Sequence, residues 1–469
     1  MDFSKNNYIE NELGKISKIK KKNISYNLTH SSPTTFLYPK NYNEVKKIIS
    51  YLNKSKNKIL IKTGSCSHGD KTNLQKSELA ISLSRLKRII KFDKKKETLT
   101  AQSGIGMEEL FYYLKKRNYT ICNIPGGRAI SLGGSISGNV HGRPAMKNYE
   151  NFGDNVISLK VMFENGVVKL VTRKNKSFYK IIGGLGLFAI ILEAKLKIRK
   201  IENNTIEKIT TTIQNKEEFK KYQKNLKRFY GYINPFNINE LEGHFIHFID
   251  KKDIIKKRNH ELKKYILFNF FNFIKLWTII SFFINNLTLK IFYNFLFILK
   301  KMSGKRIKKE IINFEKSIYF IDYNQVLPYF FRGGMIEIQF SVGLNKLYNL
   351  ILHLKKISLN FNVVPLIFVL KKIDMSNKNY MFNFPKYNFS VSLLFSKKTY
   401  NNNRSYFKNL YKTIFKNKCN LYVTKDETFI ENIDLKNERK LFKSNLFLKN
   451  KIFSSDFKEK VIKIIKERG

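Results

Sequence analysis

The sequence predicts an α+β fold in more than one domain, and three observations carry that prediction. The chain is 469 residues long, enough to bury sizeable cores, and two domains are the natural expectation. Its first 200 residues alternate period-two stretches with amphipathic ones, paired as hairpins and not as a regular strand-helix-strand series. Beyond Ile201 the texture changes to a charged stretch, an apolar one, and then mixed α/β again.

In chain order, "PTTFLYPKNYNEVKKIISYLNKSKNKILIK", residues 33 to 62, reads as a loop, a helix from about Tyr42 and a short strand. "ELAISLSRL" and "ETLTAQSG" alternate like strands. "GMEELFYYLKKRN" has Glu in its first turn and Lys and Arg in its last, as a helix dipole favours. "ISLKVMFENGVVKLVT" is a hairpin about Asn165-Gly166, and "LFAIILEAKLKIRK" is a further strand. Gly184-Leu185-Gly186-Leu187-Phe188-Ala189 matches a dinucleotide fingerprint, but helix precedes it and strand follows. That is the reverse of the order the fingerprint needs, so tight-turn glycines are the better reading.

Residues 265 to 301, "YILFNFFNFIKLWTIISFFINNLTLKIFYNFLFILKK", are apolar but interrupted by Asn269, Asn272, Lys275, Asn285, Asn286 and Lys290. The longest stretch free of Asn and Lys is far short of the ~20 residues a membrane span needs. Helices lying in a membrane interface, with core helices as the rival, are expected. "IEIQFSV" and "NFSVSLLF" are strands, "NLYVTKDETF" reads as a strand ending in Lys-Asp, and "KIFSSDFKEKVIKIIKER" is a terminal helix. No internal repeat is visible.

Composition narrows the classes. A 43% hydrophobic chain with 40 Phe and 25 Tyr is too apolar for disorder. The net charge of +52 comes from Lys spread along the whole length, an attraction for anions in general. No Arg-rich reading face is concentrated on one helix or loop, so no nucleic-acid partner is expected. Cys66, Cys122 and Cys419 are far apart with no CxxC spacing, which argues against a disulfide framework or a zinc site and fits a reducing compartment. No metal is expected. The first residues contain no apolar run of signal-peptide length, so secretion is not expected.

One stretch departs from the rest. "PGGRAISLGGSISGNVHGR", residues 125 to 143, holds six glycines and three serines, so large side chains are kept from something. A second small-residue loop, "KTGSCSHGD", residues 62 to 70, follows a strand. Backbone approaches a ligand closely only where Cβ atoms are missing, and clustered N–H groups attract phosphate. Two such loops in one domain suggest a diphosphate gripped from two sides.

The pair resembles the flavoproteins of the vanillyl-alcohol oxidase type, nearest the decaprenylphosphoryl-β-D-ribose oxidases. "SCSHGD" is similar to their G-R-S-Y-G-D loop, and the glycine-rich stretch to P-G-T-R-x-V-T-V-G-G-A-I-A-x-D-I-H-G-K. "FGDNV", "IIGGLGLFAIILEAKLKI", "IEIQF", "PKYNFSVSL", "LYVTKDETF" and "IFSSDF" extend the resemblance over nearly the whole chain. The resemblance implies a PCMH-type FAD-binding domain of two subdomains in residues 1–200, with its core about 28–200. It also implies an α+β substrate or cap domain in 201–420 and a return to the flavin domain in 421–469. It implies FAD contacts at Gly64, Ser65, Cys66, Ser67, His68, Gly69, Asp70, Gly126, Ser131, Leu132, Gly133, Gly134, Gly138, Asn139, Val140 and His141, with Ile190 and Tyr422 beside them. It implies catalytic roles near the ring and substrate for Lys425, His141, Lys371, Gln339, Asn388 and Arg143.

The family's chemistry would be oxidation of a sugar hydroxyl, of a polyprenyl-phospho-β-D-ribose at its 2-position, with a short-chain keto-reductase as pathway partner. The rival is an aldonolactone or alditol oxidase acting on a soluble sugar. Peripheral contact with the inner face of the plasma membrane is the expected location. Lys425 is the candidate cation for charge on the reduced ring, Lys371 and Arg143 for a sugar phosphate. His141 and Lys425 both remain possible proton acceptors. Several residues depart from the family: Cys66 stands where some relatives link a His to flavin, which implies non-covalent FAD. His68 replaces a Tyr, Arg143 a Lys, Glu337 a Gln and Ser390 a Cys. "FYGYINPF" matches poorly where substrate-lining residues are expected.

Overall fold

A computed structural model describes residues 13–14, 16–64, 66–74, 79–127, 129–142, 149–237, 239–249, 279, 281–302, 306–318, 327–375, 379–432 and 451–468. Ser65, Arg143 and most of the first half of the 265–301 segment lie outside these residues.

Three sheets follow one another along the chain. The first contains β1 (Ser17–Ile24), β2 (Ser31–Tyr38), β3 (Leu60–Lys62) and β4 (Leu79–Ser82), in the order β1-β2-β4-β3. β2 occupies part of the stretch read as loop, and β2 and β3 both run parallel to β4, a departure from the expected antiparallel pairing. The helix Tyr42–Ser55 makes that parallel geometry possible by carrying the chain from β2 back to β3. Asn41 starts the helix by accepting the Glu44 N–H at 2.9 Å, and Lys56 ends it in the left-handed region. Val45, Ile48, Ile49 and Leu52 recur at helical spacing and pack on Leu37 and Ile81. Each such side chain contributes about 1.5–3 kcal/mol by leaving water. β1 was not foreseen, because its Lys-rich sequence pairs with β2 while its lysines face solvent.

The second sheet holds β5 (Ile89–Asp93), β6 (Thr98–Gln102), β7 (Tyr119–Ile121), β8 (Val156–Met162), β9 (Val168–Thr172) and β10 (Ile190–Lys200). All its pairings are antiparallel, with the long β10 at the centre against β6, β7 and β8. β8 and β9 form the expected hairpin, with Gly166 at positive φ in its turn. The helix Met107–Lys115 packs Leu110, Phe111 and Leu114 on this sheet.

The third sheet is eight-stranded and antiparallel: β11 (Thr205–Ile213), β12 (Phe229–Ile233), β13 (Gly243–Ile249), β14 (Ile307–Asn313), β15 (Met335–Val342), β16 (Ile367–Lys372), β17 (Phe389–Ser396) and β18 (Asn420–Leu421). Their order is β14-β11-β13-β12-β16-β17-β15-β18. In β15 the apolar Ile336, Ile338 and Phe340 face a core filled by the helices Leu344–Asn360 and Arg404–Lys416. The alternate residues Glu337, Gln339 and Ser341 face the other way and are nevertheless buried. In a solvated sheet these would be the wet positions; here the loop that carries His141 packs on Gln339.

The strand expected in "LYVTKDETF" is shorter than foreseen. β18 ends at Leu421, and Val423 to Lys425 form a turn closed by the Lys425 N–H donating to the Tyr422 carbonyl at 3.2 Å. Asp426 imposes the turn, because its carboxylate accepts from the backbone of Thr428 and Phe429 and from the Tyr411 hydroxyl. Residues 451–468 then run back to the first sheet. Ile59 exchanges backbone hydrogen bonds with Ile452 and Ser454, and the Asp456 N–H donates to the Asn73 carbonyl at 2.7 Å.

Among the described residues, no helix is long and apolar enough to cross a membrane. The helix Asn286–Met302 buries Tyr293, whose hydroxyl donates to the Leu366 carbonyl, yet exposes Leu287, Ile291, Phe292 and Phe295 on its other sides.

Candidate functional site

The two glycine loops meet. Gly64 lies so close to the second loop that a Cβ there would stand 2.7 Å from the Ser131 nitrogen and 2.9 Å from the Ala129 carbonyl oxygen. Ser131 then opens the short helix Leu132–Ser137 by accepting the Gly134 N–H at 3.2 Å. Gly69 has φ +47°, and a Cβ on it would collide with Glu427 at 1.5 Å. Glu427 accepts from Asn27 at 3.1 Å and from Thr29 at 2.7 Å, and Asn27 Oδ1 accepts the Gly69 N–H at 2.9 Å, so Asn27 joins the first loop to the segment that follows Lys425. Burial alone pushes the Glu427 carboxyl up, but these hydrogen bonds and His30 hold it down at about 2.

A cavity of about 270 Å³ opens between the loops and the polar face of the third sheet. On the loop side Gly64, Cys66, Ser67, His68, Gly126, Ser131, Gly134, Gly138, Val140 and His141 line it. Facing them are Glu337, Lys371, Tyr422, Thr424 and Lys425. Lys371 comes from β16 opposite Ser390 of β17, on the same sheet face as Glu337 and Gln339.

The other expected residues stand behind this wall. Gln339 is fully buried and reaches His141 Nε2 at 3.1 Å and Ser390 at 2.8 Å. Asp70 is buried beneath its loop, paired with Lys71 at 2.8 Å and Lys460 at 3.3 Å. Gly69, Leu132, Gly133 and Asn139 support the loops from behind, with Gly153 N–H donating to Asn139 at 3.0 Å. Ile190 belongs to the core between the first two sheets, and Asn388 is half-buried with its carbonyl accepting from Ile373. Tyr26, Lys62, Lys71, Gly127, Thr424 and Glu337 line the cavity without having been singled out as site residues. The alternation Glu337, Gln339, Ser341 was the available signal for Glu337.

Electrostatics sharpen the picture. Burial pushes His68 down to about 4, and it lowers His141 well below the usual imidazole range, with Lys371 and Lys425 adding to the effect. Both rings are therefore neutral at pH 7. The Gln339 amide N–H donates to His141 Nε2, so the neutral ring carries its proton on Nδ1. Burial raises the Cys66 thiol to about 11, and its Sγ donates to the Gly64 carbonyl at 3.2 Å. That thiol is protonated and a poor nucleophile.

Among the described residues, His68 Nδ1, His141 Nδ1 and Gln339 Oε1 are buried without a hydrogen-bond partner. Unpaired polar atoms are costly, and such atoms beside a glycine-walled cavity fit a planar, hydrogen-bonding ring joined to a diphosphate.

Residues 33–171 match a family model described as "FAD binding domain". This part of the chain is an FAD-binding domain. Over 189 residues the chain is 31% identical to D-lactate dehydrogenase [cytochrome], mitochondrial, of Arabidopsis thaliana, covering 39% of this chain and 33% of the relative. It is 28% identical over 130 residues to decaprenylphosphoryl-beta-D-ribose oxidase of Mycolicibacterium smegmatis, covering 26% and 27%. It is 26% identical over 152 residues to L-galactono-1,4-lactone dehydrogenase, mitochondrial, of Arabidopsis thaliana, covering 31% and 23%. The chain thus spans a third or less of the length of these curated relatives. A solved structure, a solvent-stable cholesterol oxidase, shares the fold with a TM-score of 0.64 at 13% identity, over 86% of this chain and 85% of that one. The FAD-binding domain supplies the loop side of the cavity, and the third sheet supplies the opposite wall.

Proposed function

We propose that the chain is an FAD-dependent oxidoreductase acting on a CH–OH group, most specifically the 2-hydroxyl of a polyprenyl-phospho-β-D-ribose. Bound FAD would supply the two-electron oxidation. The loops around Gly64 to His68 and Gly126 to Gly138 would hold its diphosphate and ring without a covalent link, Cys66 being a protonated thiol that donates to its own loop. Lys425 presents an ammonium to the cavity, where it would meet negative charge that grows during the reaction and so lower the barrier. His141 Nδ1 would donate to an oxygen of the ring or the substrate. Lys371 would meet an anionic group of the substrate.

The observation that carries this reading is the convergence of cationic and hydrogen-bonding side chains on glycine loops of an FAD-binding domain across one cavity. A lipid-linked substrate is favoured over a soluble lactone by a second feature. Phe282, Phe283, Leu287, Ile291, Phe292 and Phe295 are all more than half exposed along one segment of a strongly cationic chain. Such a face suits peripheral contact with an anionic membrane, each nearby basic residue contributing about 1 kcal/mol. On this reading the keto-sugar passes to a short-chain reductase.

The test is anaerobic mixing of the FAD-loaded protein with farnesylphosphoryl-β-D-ribose, L-galactono-1,4-lactone and D-lactate. Bleaching of the flavin by the phosphoribose compound is expected. Bleaching by the lactone or lactate alone would overturn the lipid-linked reading. Acid precipitation should release the yellow cofactor to the supernatant, and a yellow pellet would overturn non-covalent binding.

A further inference from the structure

Lys425 does not face the cavity alone. Its Nζ donates to Glu337 Oε1 at 2.9 Å, and the same carboxylate oxygen accepts from the Ser392 hydroxyl at 2.7 Å. Both members of the pair line the flavin cavity. The Glu337 side chain is 9% exposed and that of Lys425 30%. Glu337 is fixed by β15, buried on both faces, whereas Lys425 hangs from a turn. The rigid partner therefore positions the mobile one.

We propose that Glu337 sets the charge of the flavin pocket, by holding Lys425 in the cavity and offsetting part of its charge there, and so lowers the reduction potential of bound FAD. Glu337 is a positioning residue in this scheme and acts through Lys425.

The neighbouring charges leave it that role. His68 and His141, which face the pair, are neutral. Lys71 is committed to Asp70 at 2.8 Å and to the Asp426 carbonyl at 2.7 Å. Lys62 lies at the other end, bonded to Asn23, and burial lowers it to about 8. Lys371 also lines the wall, on β16. Burial would raise the Glu337 carboxyl, but Lys425, His68 and Ser392 outweigh it and hold it at about 2, so the carboxylate is charged throughout the working range. A carboxylate at hydrogen-bond distance offsets part of an ammonium's field, so the cavity is less positive than Lys425 alone would make it. A reduced flavin ring carries extra negative charge, and a site with less positive charge favours it less. This inference rests on FAD binding but not on any particular substrate.

The experiment uses the purified FAD-loaded protein, with inorganic sulfite as the probe. Sulfite adds to the oxidised ring and leaves negative charge on it, so its affinity reports local positive charge. The midpoint potential is measured in parallel by dye equilibration. Glu337→Gln should bind sulfite at least about tenfold more tightly and raise the potential by about 30 mV, the equivalent of tenfold for a two-electron couple. Lys425→Gln, which leaves the carboxylate uncancelled, should move both quantities by a similar amount in the opposite direction. Glu337→Asp keeps the charge and should stay closer to wild type than Glu337→Gln in both. Unchanged sulfite affinity and potential in FAD-loaded Glu337→Gln, or a shift of the opposite sign, would overturn the proposal. If that variant fails to retain FAD, an unchanged Lys425→Gln overturns it equally. A purely structural role for Glu337 would alter melting temperature and leave the potential where it was.

Discussion

The loop side and the sheet side of the cavity are built by opposite means. On the loop side, Gly64, Gly126, Gly134 and Gly138 line the cavity with backbone. On the sheet side, Glu337, Lys371, Tyr422 and Lys425 line it with side chains held by strands and a turn. The match to the family model follows the same division. The FAD-binding model ends at residue 171, while the fold likeness at 13% identity runs over most of the chain. A backbone-built site tolerates few sequences, because any Cβ obstructs it. A side-chain-built wall changes its chemistry with single substitutions while its strands persist. Cofactor identity is therefore written in the first region and substrate identity in the second.

Breaking the backbone-built region should have the largest effect. Gly64→Val would drive its branched side chain into Ser131 and Ala129 and separate the two loops. Overpacking of this kind costs about 1–3 kcal/mol in stability. The purified protein is expected to be folded by circular dichroism and colourless. A yellow preparation with wild-type flavin content would mean that the loops need not touch to hold FAD.

Breaking the side-chain wall should spare the cofactor and cost rate. Lys425→Ala is expected to retain FAD while flavin reduction by substrate slows roughly a hundredfold or more, the usual effect of removing a group that meets developing charge. Glu337 is then left buried without its counter-charge, so a lower melting temperature is expected as well. Anaerobic stopped-flow reduction decides the point, and a rate near wild type would remove Lys425 from the mechanism.

The two regions also meet in a pH dependence. His68 sits in the loop but faces Glu337 and Lys425, and burial keeps its folded-state pKa at about 4. The unfolded chain takes up that proton below about 6.5, so the contribution of neutral His68 to stability is present above 6.5 and is lost as pH falls toward 4. The loss amounts to about 3 kcal/mol. Thermal melts between pH 7 and 4 should show it, and His68→Gln should flatten the curve over that window. An equally steep curve in the variant would assign the acid lability to other groups.

What was legible in the sequence follows from the same contrast. The glycine loops, the β8–β9 hairpin and the helices carry local signals, since missing Cβ atoms, Asn-Gly turns and 3.6-residue periodicity can be seen in one segment at a time. The parallel pairing of β2 with β4 could not be seen, because it depends on where a helix lands. The turn at Lys425 was missed because Asp426 gains its partner Tyr411 only when the preceding helix packs back on it. Glu337 was visible as a departure, but its pairing with Lys425 joins residues 88 apart in sequence.

The smallest effect is expected where the two regions are stitched together. The Tyr422 hydroxyl and the Thr424 hydroxyl both donate to the Gly138 carbonyl, at 3.2 and 3.0 Å. Tyr422 also stacks on Phe384 with ring centroids 4.7 Å apart and lies 5.3 Å from the His141 ring. Tyr422→Phe keeps the stacking and removes one of two bonds to a shared acceptor, so it should cost about 1 kcal/mol or less. Thr424→Val should do the same. Removing both leaves the carbonyl without either side-chain donor, and the penalty for an unsatisfied buried group exceeds the loss of a single bond. The double variant should therefore weaken FAD by more than the product of the single effects. Titration of apoprotein with FAD measures all three. Strict additivity would mean that the two hydroxyls act on the loop independently, and that the carbonyl of Gly138 is not the point through which the side-chain wall holds the backbone-built one.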